Sequence, residues 1–75
     1  MPSPPVKRVG QLCRTTKGRG VILYTFWSGD DQHKATMVDA YGNTNQWIYS
    51  SYRELTEAYQ KLIDDYNYKV AEPLS

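Results

Sequence analysis

Cysteine is almost missing from this sequence: Cys13 stands alone among 75 residues. No intramolecular disulfide can form, which excludes the disulfide-stapled secreted scaffolds and makes a reducing cytoplasm the expected location. Long apolar runs are lacking too. No stretch approaches the roughly 20 residues that span a bilayer as a helix. The N-terminal Met1-Pro2-Ser3-Pro4-Pro5 has no apolar segment of the kind a secretory signal carries, so no membrane association is expected. Net charge is only +1, short of the density of a strongly basic nucleic-acid domain.

Chemistry-bearing patterns are equally sparse. Gly18-Arg19-Gly20 is followed by a β-rich run rather than the helix N-terminus a phosphate loop needs, so it is read as a hairpin turn. Cys13 and His33 have the residue types of a nucleophile and its base, but no oxyanion-hole motif accompanies them. They are also too few for a structural zinc site, which takes four ligands. Asp30-Asp31 falls in a turn, and Asp64-Asp65 are helical neighbours pointing about 100° apart; neither has the oxygen spacing of a calcium loop. The expectation is a protein that is not an enzyme, with no catalytic residue, no metal and no cofactor.

What the chain does have is order of a simple kind. Three glycine breaks, at 17–20, 28–31 and 41–44, divide four short β-type segments: Val9–Thr16, Val21–Trp27, Ala35–Tyr41 and Asn45–Tyr49. The second, Val-Ile-Leu-Tyr-Thr-Phe-Trp, is apolar on both faces and so belongs in the sheet centre or under a helix. In the fourth, Trp47 and Tyr49 share a face opposite Ile48. Ser51-Tyr52-Arg53-Glu54 has the Ser-x-x-Glu form of a capping box. Leu55, Ala58, Tyr59, Leu62 and Tyr66 then recur at helical spacing, predicting a helix from Ser51 to about Tyr68 with Leu62 buried mid-stripe. The fold class expected is α+β: a small, twisted, antiparallel four-stranded meander, barrel-like, with one C-terminal amphipathic helix. An open sheet with the helix across one face is the alternative. Residues 1–8 read as a flexible, proline-rich basic arm, 9–70 as one domain and 71–75 as a flexible tail.

Two features point outward. Residues 1–20 hold Lys7, Arg8, Arg14, Lys17 and Arg19 and no acid, whereas the remainder has a net charge of −4. The chain also carries seven Tyr and two Trp, rings suited to half-exposed interface positions. Tyr24 and Trp47 are expected in the core. Trp27, beside a turn, fits either core or surface. The candidate partner-binding residues are Lys7, Arg8, Arg14, Lys17, Arg19, Trp27 and Tyr49. They serve either a protein partner, the leading expectation, or a nucleic acid whose bases stack on exposed rings.

Three pieces, Val9-Gly10-Gln11-Leu12, Gly18-Arg19-Gly20-Val21-Ile22 and Trp47-Ile48-Tyr49-Ser50, resemble the SH3-like small-barrel modules of KOW and Tudor type over residues 9–51. The resemblance implies a non-catalytic module that binds proteins or nucleic acids. The missing catalytic set, the excess of Tyr and the proline-rich basic arm make a small regulator or assembly subunit the expected role. The chain departs from that pattern in having four expected strands rather than five, and a helix where a short strand would close the barrel.

Overall fold

A computed structural model describes residues 5–75. Five strands and one helix follow in the order β1 (Lys7–Thr16), β2 (Gly20–Ser28), β3 (His33–Val38), β4 (Thr44–Tyr49), α1 (Tyr52–Tyr66) and β5 (Lys69–Glu72). All strand pairs are antiparallel, in the sheet order β4-β3-β2-β1-β5.

The expectation of four strands is corrected to five, and the sheet is open rather than closed as a barrel. The reason lies in the connection. α1 leaves β4 at one edge of the sheet and delivers β5 to the other. Its 15 residues extend about 22 Å at 1.5 Å per residue, and four strand spacings amount to about 19 Å. A helix of that length crosses the whole sheet and holds its two edge strands apart. The architecture is therefore the open sheet with a helix across one face.

Register assigns the faces. Leu12 opposes Tyr24, which opposes Met37; Gly10 opposes Phe26, which opposes Ala35 and then Trp47. Of these, Leu12, Tyr24, Phe26, Ala35 and Met37 form the core with Leu55 and Tyr59 of α1. Leu12, Phe26 and Leu55 are its largest fully buried side chains. Phe26 meets Tyr59 edge-on at 5.3 Å between centroids, a favoured aromatic geometry. Gly10 admits this packing: a Cβ there would stand 3.3 Å from Tyr59 and 2.9 Å from Leu74.

Several boundaries move. β1 begins at Lys7, so Lys7 and Arg8 belong to the sheet and not to an arm; residues 1–4 of that arm lie outside the described residues. β3 stops at Val38, because Asp39 turns the chain instead of extending it. Its carboxylate accepts from the backbone amides of Tyr41 and Asn43 and from the Asn43 side chain, at 2.9–3.1 Å. The helix ends at Tyr66, two residues early, since Asn67 adopts the left-handed conformation at φ 60° and its N–H returns to the Leu62 carbonyl. The last residues are fastened. The Ser75 amide donates to the Val9 carbonyl at 2.9 Å, and Leu74 packs on the core. Leu62 is half-buried, not buried; Leu55 and Tyr59 occupy the deep positions. Trp47 is corrected likewise. It sits on the edge strand and is 39% exposed, where a core residue was expected.

Candidate partner-binding cleft

An aromatic cleft opens between the edge of the sheet and the C-terminal half of α1. Tyr24 forms its floor, Trp47 and Tyr49 on β4 one wall, and Ala58, Lys61, Leu62 and Tyr66 on α1 the other. Tyr68 closes the end. The hollow measures about 590 Å³, within the range of small-ligand and side-chain pockets. Each wall has a local cause. Alternation along β4 puts Trp47 and Tyr49 on the helix side. Spacing of three to four residues places Ala58, Lys61, Leu62 and Tyr66 on one helix flank. The left-handed Asn67 then reverses the chain and returns Tyr68 over Tyr24.

The rings brace one another. Tyr24 lies 5.4 Å from Trp47 and meets Tyr68 edge-on at 5.2 Å. The Arg14 guanidinium stands 5.8 Å over the Tyr68 ring, within cation–π range. Burial, together with the neighbouring phenols of Tyr68, Tyr49 and Tyr66, pushes the Tyr24 hydroxyl up to about 12. Burial also raises Tyr49. It raises Tyr68 against the opposing pull of Arg14 and Arg19. All three phenols are neutral donors at physiological pH, and Lys61 is an exposed amine at the rim. The cleft can therefore hold an apolar or aromatic group, offer hydroxyls to carbonyl oxygens, and attract a negative charge at its edge.

Of the residues singled out from sequence, Tyr49 lies in this cleft and Arg14 buttresses it through Tyr68. The others are dispersed. Lys17 and Arg19 are exposed at the β1–β2 turn. Lys7 opposes Ser28 on the helix side of the sheet, whereas Arg8 and Trp27 pair on the uncovered face. Arg8 forms an ion pair of 3.0 Å with Glu72, and the Trp27 indole N–H donates to Thr36 at 3.1 Å. The five cations thus do not form one patch. Cys13 and His33 are not brought together either. Cys13 pairs with Leu23 and His33 with Ser28, on opposite faces of the sheet, and His33 Nδ1 lies 2.6 Å from the Ser28 hydroxyl.

Lys61, Tyr66 and Tyr68 were not foreseen as site residues. A signal for Tyr68 existed: Asn67 tolerates the left-handed conformation and precedes a residue that no longer fits the helical stripe.

No family model, curated protein or solved structure matches the chain. No helix among the described residues is long and apolar enough to cross a membrane.

Proposed function

We propose that this protein is a non-enzymatic interaction module of the cytoplasm, a small regulator or assembly subunit that grips a protein partner in the Tyr24/Trp47/Tyr49/Tyr66/Tyr68 cleft. One observation carries the reading. Five aromatic rings line a cleft that the fold leaves open, with Tyr66 48% and Trp47 39% exposed. Rings held at a pocket rim are characteristic anchors of protein interfaces, and they offer large contact area at low entropic cost. Here the binding surface lies between sheet edge and helix, so the partner is a protein segment that inserts an apolar side chain beside Lys61. The test is paired capture from the native host with wild type and Tyr66→Ser. A captured protein that the variant loses supports the cleft. A protein captured equally by both does not use it.

A second reading has its own observation. Across the uncovered face, Arg8, Trp27, Lys34 and Ile48 stand in one row, and Gln11, Thr25, Thr36 and Gln46 in the next. A ring between two cations beside a row of hydrogen-bonding side chains suits stacked single-stranded bases. A salt titration against a mixed-sequence single strand decides it. Each phosphate contact contributes about 0.7 to the log–log slope, so replacing Arg8 and Lys34 by Gln would lower the slope by about 1.4. No binding even at low salt would end this reading.

A further inference from the structure

The two edges of the sheet are built differently. β5 is short and guarded: it has four residues, charges at both ends in Lys69 and Glu72, and a register irregularity against β1. Charges, short length and bulges are the devices by which edge strands avoid pairing with other chains. β4 has none of them. Its six residues, Thr-Asn-Gln-Trp-Ile-Tyr, contain no charge and no proline, and its register with β3 runs without a break from Val38↔Thr44 to His33↔Tyr49. It has one neighbour in the sheet, so its outer edge is unpaired among the described residues. Ile48 on that strand is 62% exposed.

We propose that β4 is the dimerisation edge of this protein and that its occupant is β4 of a second copy. The strand is self-complementary in the respect that matters. An antiparallel pair about a two-fold axis normal to the sheet keeps both helices on one side, so odd residues face odd and even face even. No register of that kind opposes like charges, because the strand has no charge to oppose. Trp47 and Tyr49 of the two copies meet on the helix-bearing side, and Gln46 and Ile48 meet on the other. The result is one continuous ten-stranded sheet, with the two aromatic clefts side by side across the axis. Six residues of ladder make a modest interface, so the dimer forms in a concentration-dependent way.

The experiment is light scattering on the eluting full chain over a dilution series, with amide hydrogen exchange on the same samples. The expected mass rises from 8.7 kDa toward twice that value with concentration, and the amides of residues 44–49 gain protection in parallel. The double variant Asn45→Lys/Ile48→Lys places like charges on both sides of the axis and is expected to stay at the single-chain mass, with the melting temperature that wild type shows when dilute enough to be a single chain. Should it fail to fold, Gln46→Lys makes the same test at an exposed polar position. A wild type that remains at the single-chain mass up to its solubility limit overturns the proposal, as does a folded Lys variant that dimerises as well as wild type. A monomer that still captures a partner through Tyr66 would sink the dimer alone and leave the cleft standing.

Discussion

Asp39 and Tyr24 show how single side chains set the response of this fold to pH. Asp39 is almost fully buried, which by itself would raise its pKa. Hydrogen bonds from the Asn43 side chain and from the Asn43 and Tyr41 amides, with the charge of Arg19, outweigh burial and hold it below the ordinary value. A depressed carboxylate stabilises the fold at pH values above its unfolded pKa of about 3.9. That contribution is lost as pH falls through the lower folded value. Asp39→Asn should therefore lower stability at neutral pH and flatten the loss below about pH 4, as followed by denaturant melts across the acid range. Tyr24 acts at the other end. Its pKa is raised to about 12, so its contribution is intact below the unfolded value of about 10 and is lost as pH rises through 12. Tyr24→Phe keeps the ring and removes the ionisable group. Its melting temperature should fall less steeply than that of wild type between these two values, and an identical alkaline limb would show that Tyr24 is not the group responsible.

At the scale of elements, α1 is held by both of its ends and by two deep side chains. The Ser51 hydroxyl accepts the Glu54 amide at 3.2 Å. The Glu54 carboxylate reaches back to the amide and hydroxyl of Ser50, one residue before the position a capping box implies. Ser51→Ala should cost about 1 kcal/mol and Ser51→Asp close to nothing, read by urea melts. At the other end, Asn67→Gly should be tolerated, whereas Asn67→Val should cost about 1–2 kcal/mol because a branched Cβ resists positive φ. Leu55→Ala, at a fully buried site, should cost about 2–5 kcal/mol, and Leu62→Ala clearly less. If the two leucines prove equal, the helix is rotated from the packing described. The start and face of α1 were legible because capping and periodicity are local signals. β5 was not: Lys-Val-Ala-Glu has no strand signature, and it becomes a strand only by pairing with β1 some 58 positions earlier in the chain. The end of β3 was hidden for the opposite reason, since Asp39 continues the alternation in sequence yet spends its carboxylate on the turn.

For the whole molecule, the decisive fact is that one helix crosses a five-stranded sheet and covers one face only. The cleft exists because the sheet edge at β4 and the far half of α1 leave room between them, which Tyr66 and Tyr68 rim without filling. Tyr49, which lines the cleft, and the excess of aromatic residues were both legible in the sequence. The sequence assigned Trp47 to the core because strand alternation shows which face a residue takes and not whether its strand lies at an edge. The five N-terminal cations were legible as composition, but register divides them between two faces, so their sum does not describe a surface. The measurement that tests the cleft most directly is calorimetric titration of the purified captured partner into wild type, Tyr66→Ser and Arg19→Gln. The account predicts a loss of about tenfold in affinity, or about 1.4 kcal/mol, for Tyr66→Ser with its melting temperature unchanged, and little change for Arg19→Gln. Equal affinity for wild type and Tyr66→Ser, with the loss falling on Arg19→Gln, would contradict it.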